Sequence, residues 1–345
     1  MNRRALLSGV AGGVAGLGGC VGEDGSDDEE DREEPLDASI GGAPAFQYDR
    51  RNSGDAAADA VTGADERFAT RIGDPVYSSP AVVGGAVYVG GGSALHAIDA
   101  VDGARLWTAD TAGAVRSSPA VADGTVYVGT RGDRVYALDA ADGTERWQFE
   151  ANGAVDASPA DVEDTVYAAS RSIEGQVYAL DATDGSERWR FGTDYRVISS
   201  PAVVDGAVYV GGNDDTLYAL DGATGETRWR VDTGGITITP AVADGTVYAG
   251  TETGDGRVYG IAADDGRERF SVGVGTAITT PPSATDGAVY VGLRDGGVLA
   301  LGASDGRERW RVGTGGELRA APTVAGGAVY AGSTDGRLYA FGEPR

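Results

Sequence analysis

A unit of about forty residues recurs along most of this chain, and this repeat constrains the fold more than any other feature. One tyrosine marks the apolar VYVG-like run of each copy: Tyr88, Tyr127, Tyr167, Tyr209, Tyr248, Tyr290 and Tyr330. Successive copies are 39 to 42 residues apart. Self-similarity at this period is typical of propellers and solenoids, in which each unit buries its apolar surface against its neighbours.

Each unit contains four short runs separated by turn residues. In the second unit these runs are Ser118–Ala122, Thr125–Val128, Val135–Asp139 and Glu145–Phe149, which we name strands A to D. The Asp-Gly pairs between them favour hairpins, because both residues tolerate the positive φ of a tight turn. Strand B is apolar on both faces, which is expected where a sheet packs between two others.

The two ends of the repeat region complement each other. The last unit supplies only strands A, B and C, and the missing strand D is found at Asp65–Phe68, which matches Asp265–Phe270. The sequence therefore predicts an all-β, seven-bladed β-propeller of four-stranded antiparallel blades, closed by an N-terminal strand. An eighth blade formed by residues 38–64 is the alternative.

The N-terminal residues have a different character. Residues 1–20 combine Arg3 and Arg4 with a weakly apolar Gly/Ala-rich run, as in a secretory signal. The paired arginines resemble a twin-arginine export signal, and the final LGGC resembles the lipobox of prokaryotic lipoproteins. That resemblance implies cleavage before Cys20 and lipid on its thiol. An uncleaved N-terminal anchor is the alternative.

Three further regions follow the signal. Residues 21–40 form an acidic tether, since residues 23–37 hold ten acidic side chains against one arginine and cannot bury apolar surface. A specific acidic binding tail is the alternative for this stretch. Residues 41–64 form a lead-in segment without a clear period, and residues 65–345 form the propeller.

The net charge of the chain indicates the environment of the protein and the classes of partner that it can bind. The net charge is −25, and all 28 basic residues are arginine. A dense carboxylate surface of this kind suits a halophile, although acidic drift in a GC-rich genome is the alternative. Nucleic acid is excluded as a partner, because binding phosphates needs clustered basic residues. We expect a monomer, lipid-anchored on the extracytoplasmic face of a halophile cell membrane.

The segment Ala137–Trp147, ALDAADGTERW, resembles the tryptophan-docking motif of the pyrroloquinoline quinone (PQQ) repeat family. An aromatic residue closes each unit: Trp107, Trp147, Trp189, Trp229, Phe270 and Trp310. The resemblance implies that each indole packs on a glycine of an adjacent blade and hydrogen-bonds there. It implies a propeller like that of quinoprotein dehydrogenases, and equally like the non-enzymatic lipoprotein of the bacterial β-barrel assembly machinery.

Residues able to carry chemistry are scarce. Cys20 is the one cysteine and His96 the one histidine, so neither a vicinal disulfide nor a His/Cys zinc site can form. His96 stands where other units have tyrosine, which indicates a packing role in strand C. The repeated aspartates belong to turns or to the docking motif: Asp99, Asp102, Asp139, Asp142, Asp181, Asp184 and Asp221. We predict no catalytic residue, no metal and no cofactor, with PQQ and calcium as the alternative.

One position departs from the repeat, three residues before the proline that precedes each strand A. It holds, in order, Tyr77, Arg116, Asp156, Ile198, Thr237, Thr279 and Arg319. In a propeller the loop from D to A opens at the central channel, and the loop from B to C shares that face. Two B–C loops, Arg171–Gln176 and Glu252–Arg257, are two residues longer than the others. Variable polar groups there are suited to binding.

We therefore predict that Tyr77, Arg116, Asp156 and Arg319 contact a partner or ligand. The alternative is that they are solvated loop residues on an acidic protein. The function predicted is a non-catalytic, membrane-anchored scaffold that binds an unknown membrane or extracytoplasmic protein. Two alternatives are a PQQ-dependent alcohol or sugar dehydrogenase and a module that binds polar solutes.

Overall fold

The computed structural model describes residues 68–72, 76–285, 287–325 and 328–342. The predictions for the signal, Cys20, the acidic tether and the lead-in segment lie outside these residues. So do the alternative eighth blade and the first three residues of the predicted closing strand. Within the described part of the chain, no helix is long and apolar enough to cross a membrane.

The described residues form 27 strands in seven antiparallel sheets. The A strands are β1 (Ala81–Val83), β5 (Ala120–Ala122), β9 (Ala160–Val162), β13 (Ala202–Val204), β17 (Ala241–Ala243), β21 (Ser283–Ala284) and β25 (Thr323–Ala325). The B strands are β2 (Ala86–Gly91), β6 (Thr125–Thr130), β10 (Thr165–Ser170), β14 (Ala207–Gly211), β18 (Thr246–Gly250), β22 (Ala288–Gly292) and β26 (Ala328–Gly332).

The outer strands complete the sheets. The C strands are β3 (Ala94–Asp99), β7 (Arg134–Asp139), β11 (Gln176–Asp181), β15 (Thr216–Asp221), β19 (Arg257–Ala262), β23 (Gly297–Gly302) and β27 (Leu338–Gly342). The D strands are β4 (Arg105–Asp110), β8 (Glu145–Glu150), β12 (Glu187–Gly192), β16 (Thr227–Asp232), β20 (Glu268–Gly273) and β24 (Glu308–Gly313). Six sheets run in the order A-B-C-D and the seventh in the order A-B-C among the described residues, so the prediction of seven blades is confirmed.

The turns between strands A and B follow from their residue types. In the second blade Asp123 has φ of 46° and Gly124 has φ of 70°. Two successive positive φ values produce the tight turn whose twist matches the flanking strands. The A strands of neighbouring blades contact one another around the ring from β1 to β21, which places strand A innermost.

The core lies between blades rather than within one sheet. One cluster joins Tyr127 and Val135 of the second blade to Val166 and Tyr178 of the third. Val126 and Val128 of β6 are fully buried while Tyr127 between them is 3% exposed, so both faces of strand B are covered. This confirms the expectation drawn from its uniformly apolar sequence.

The docking aromatics connect successive blades as the family resemblance implies. Trp147 lies on Gly185, where an added Cβ would be 2.6 Å from its ring, and its Nε1 donates a hydrogen bond of 2.9 Å to the Ala182 carbonyl. Trp107, Trp189 and Trp229 donate in the same way to the following blade. Phe270 packs on Gly306 without a donor.

The two ends of the ring differ from this pattern. The last blade has three strands among the described residues, and Phe68 is not in a strand. Its ring nevertheless lies where a Cβ on Gly103 would meet it at 2.5 Å, which is the position of a docking aromatic. Docking of Trp310 stays a prediction, because the position equivalent to its acceptor, residue 343, lies outside the described residues. The Trp310 ring centroid lies 6.4 Å from that of Phe341.

A serine or threonine precedes the proline in the first five blades, and from the second to the fifth blade its hydroxyl bonds to the blade before. The Ser118 Oγ accepts a hydrogen bond of 2.9 Å from the backbone N–H of Ser79. Ser158, Ser200 and Thr239 accept in the same way from the equivalent residue of the blade before. These hydroxyls satisfy buried N–H groups at the centre of the ring, which explains why the S-S-P text repeats.

Candidate channel-face binding site

The D–A and B–C loops lie on one face of the propeller, as the sequence predicts. The backbone N–H of Arg131, at the start of a B–C loop, donates to the Ala114 carbonyl of the neighbouring D–A loop over 2.9 Å. Arg171 makes the same bond to Ala154 over 2.7 Å. The two loops of each blade therefore form one layer, which we call the channel face. The side chains of this face belong to loop residues, so the alternation of a β-strand does not fix their directions.

Tyr77 and Arg116 contact each other across the first two blades. The guanidinium carbon of Arg116 lies 4.3 Å from the centre of the Tyr77 ring, which is a cation–π contact. Tyr77 is 58% exposed. The Nε of Arg116 is buried and has no hydrogen-bond partner within the described structure. The pair therefore offers an accessible aromatic surface beside an incompletely bonded cation.

Asp156 lies between two arginines of different blades. Arg131 donates to both carboxylate oxygens of Asp156 over 2.9 Å, and Arg171 donates to one of them over 3.1 Å. Burial of Asp156 by itself would raise its pKa, but the hydrogen bonds from the two guanidiniums outweigh it and lower the pKa below its usual value. Asp156 therefore stays ionised and fixes both arginines at the channel face.

Arg319 belongs to a separate group on the fifth to seventh blades. Its Nη2 and Nε both donate to one carboxylate oxygen of Glu317, at 2.9 and 3.1 Å. These two residues line a cavity of about 470 Å³ together with Thr279, Glu252 and Arg294. The structure thus brings Tyr77 to Arg116 and Asp156 to its arginines, while Arg319 lies elsewhere on the face.

The fifth blade corrects the predicted alignment. Counted from the docking aromatic, Thr237 is equivalent to Val115, because its N–H donates to Gly212 as that of Val115 donates to Gly92. Thr237 is fully buried. The loop is one residue shorter here, so Ile238 occupies the place that Arg116 has in the second blade. Counting from the proline therefore placed Thr237 at the channel wrongly.

Four charged residues that line cavities of the face were not singled out from the sequence. They are Arg131, Arg196, Arg294 and Glu317. A signal for them exists, since the fourth residue after the strand B tyrosine and the seventh after the docking aromatic also vary between units. The predicted extra length of the B–C loop after β10 is confirmed, since residues 171–175 stand against 131–133 in the preceding blade.

The repeated polar residues serve the fold. His96 is buried, with Nδ1 3.0 Å from the Thr108 hydroxyl, as a packing residue of strand C should be. The Asp139 carboxylate accepts from the Ala141 N–H, and that of Asp142 accepts from the Thr144 N–H. No group of three or more His, Cys, Asp or Glu suited to a metal occurs in the described residues.

Known proteins with the same architecture match this chain in sequence and in structure. The family model described as outer membrane protein assembly factor BamB matches residues 51–172, 153–281 and 254–343. Among solved structures, BamB from Moraxella catarrhalis is 24% identical with a TM-score of 0.63, over 75% of this chain and 82% of that one. No curated protein sequence matches the chain.

Two other solved structures share the fold at lower identity. Saccharomyces cerevisiae Sqt1 is 14% identical with a TM-score of 0.65, over 75% of this chain and 79% of that one. The quinohemoprotein alcohol dehydrogenase ADHIIG from Pseudomonas putida HK5 is 15% identical with a TM-score of 0.54, over 85% and 75%. Identities this low show that the fold is shared, and the function has to be argued from the residues of the site.

Proposed function

Because the chain belongs to the family of the outer membrane protein assembly factor BamB, we propose that it is a non-catalytic scaffold that binds a protein partner. It is anchored by lipid on Cys20 at the extracytoplasmic face of the membrane, and the acidic tether holds the propeller away from the lipid. The partner binds on the channel face.

The observation that supports this proposal is that repeated residues stabilise the fold, whereas variable residues lie on the channel face. The repeated Trp, Tyr, Ser and Asp side chains are used in contacts between blades and in turns. The variable residues Tyr77, Arg116, Asp156 and Arg319 lie on one rigid face, and two of them are exposed. A rigid scaffold that displays variable loops is a common basis for recognition.

The test is photo-crosslinking in native membranes from two matched sites. Tyr77, 58% exposed, represents the channel face, and Val101, 56% exposed in a C–D loop, represents the opposite face. A photoreactive residue at Tyr77 should give one reproducible protein adduct, while the same residue at Val101 should give none. Adducts from Val101 alone, or from neither site, would contradict the proposal.

Two further measurements address the alternatives. Protein purified in high salt should retain no quinone absorbance after incubation with PQQ and calcium. Retained quinone with dye reduction on alcohols or sugars would make it an oxidoreductase.

Intact mass of the membrane form should show a chain beginning at lipidated Cys20. An unlipidated chain beginning at Met1 would disprove the anchor.

A further inference from the structure

Two cavities on the channel face differ in their charge. The cavity near Arg319 is balanced, with two arginines and two glutamates in its wall. The second cavity, of about 340 Å³, is lined by Arg131, Ala154, Asp156, Arg171 and Arg196. We call it the arginine cavity. Its wall holds three guanidiniums and one carboxylate, an excess of two positive charges in a chain of net charge −25.

Asp156 holds two arginines of this cavity in place, and the three arginines retain N–H donors that could bind a further acceptor. Asp156 accepts from Arg131 and Arg171. None of the other acidic residues in these loops, Asp133, Glu174 and Asp194, belongs to the cavity wall. Arg196 is exposed and makes no ion pair within the described residues. A guanidinium presents five donors, so a second carboxylate can bind beside that of Asp156.

Two exposed apolar side chains, which we call the rim, lie in the same loops as Arg171 and Arg196. Ile173 is 77% exposed at the tip of the lengthened B–C loop, and Tyr195 is 60% exposed in the next D–A loop. The two loops are joined, since the Gly175 N–H donates to the Tyr195 carbonyl over 3.2 Å and Thr193 donates to Gly175 over 2.9 Å. Tyrosine and arginine in one patch are the residue types that most often dominate binding energy at protein interfaces.

We propose that the arginine cavity and its rim bind an acidic segment of a partner protein. A partner carboxylate enters beside Asp156, and an adjacent apolar side chain covers Ile173 and Tyr195. Charge complementarity favours this occupant, because the excess positive charge is local and calls for a carboxylate at short range. A polyphosphate such as nucleic acid would meet the acidic remainder of the surface. This inference rests on the proposed scaffold function and specifies its partner.

The test uses a short fluorescein-labelled peptide of alternating glutamate and leucine, with its glutamine-leucine analogue as the uncharged control. Anisotropy should show that the purified protein binds the acidic peptide and not the analogue. The double variant Arg171→Gln with Arg196→Gln should bind about tenfold more weakly, since charge-assisted hydrogen bonds are lost. Ile173→Ser with Tyr195→Ser should also weaken binding.

The matched control is Arg230→Gln, which removes an exposed arginine on strand β16 away from the channel face. It should bind the acidic peptide like the unmodified protein, and all variants should melt together because every substituted side chain is exposed. Absence of binding, or equal loss in Arg230→Gln, would overturn the proposal. Displacement of the peptide by inorganic phosphate at equal charge would also overturn it, by making this a small-anion site.

The peptide and crosslinking experiments together separate an error about the acidic segment from an error about the scaffold function. If the peptide does not bind but Tyr77 crosslinks to a partner, the scaffold stands and the acidic segment does not. If neither experiment succeeds, both are wrong.

Discussion

At the scale of single residues, one carbonyl oxygen at each of several blade interfaces receives two donors. The Ala140 carbonyl accepts from the Tyr88 hydroxyl over 3.1 Å and from the Trp107 Nε1–H over 3.0 Å. The Gly222 carbonyl accepts from Tyr167 and Trp189 in the same way. The tyrosine of strand B and the docking tryptophan are therefore repeated for one reason, because together they bind the next blade.

Substituting a docking glycine tests this contact. Gly185 has φ of 74°, and an added Cβ would lie 2.6 Å from the Trp147 ring. Gly185→Ala should lose about 1–2 kcal/mol for the positive φ and about 1–3 kcal/mol more for the overlap. Chemical denaturation measures the loss. Gly254→Ala is the control, since φ there is 64° and nothing lies within 4 Å. Equal losses in the two variants would show that ring docking adds no constraint.

At the scale of elements, the innermost strands are joined by hydroxyl groups. Ser158→Ala removes the acceptor for the Ser118 N–H and leaves that buried group unbonded. We expect a loss of about 1–3 kcal/mol in the free energy of unfolding. Ser158→Thr is the control, since Thr239 makes the same bond in the fifth blade, and it should unfold like the unmodified chain. A stable Ser158→Ala protein would show that water or another group replaces the serine.

The elements also show what the sequence could predict. Strand order and turns followed from alternating apolar runs and Asp-Gly pairs, with boundaries within two residues for the second blade. The one-residue deletion before Ile238 was missed because the proline spacing conceals it. The Asp156 bond to Arg131 was missed because it joins loops of different blades, and their side-chain directions depend on how the sheets pack.

At the scale of the whole molecule, buried tyrosines make the ring sensitive to alkaline pH. Burial raises the pKa of the strand B tyrosines from Tyr88 to Tyr248. Burial, and then the hydrogen bond to Asp214, raise the pKa of Tyr218 to about 12. Above the unfolded value of 10.0 the unfolded chain binds fewer protons than the folded one, so stability falls as pH rises.

The free energy of unfolding should therefore decrease from about pH 10 upward. Denaturant titrations at increasing pH measure the slope, and Tyr218→Phe should reduce it by about one proton. A stability that is constant between pH 10 and 12 would contradict the assignment of these phenols to dry interfaces.

The central claim is that the blades provide the ring and the channel face provides the function. Hydrogen–deuterium exchange of the propeller, alone and in native membrane extract, tests it most directly. Protection gained in the D–A and B–C loops, especially residues 131–133 and 171–175, with none gained in the A–B and C–D loops, is the result predicted. Protection confined to the A–B and C–D loops, or no difference on either face, would contradict it.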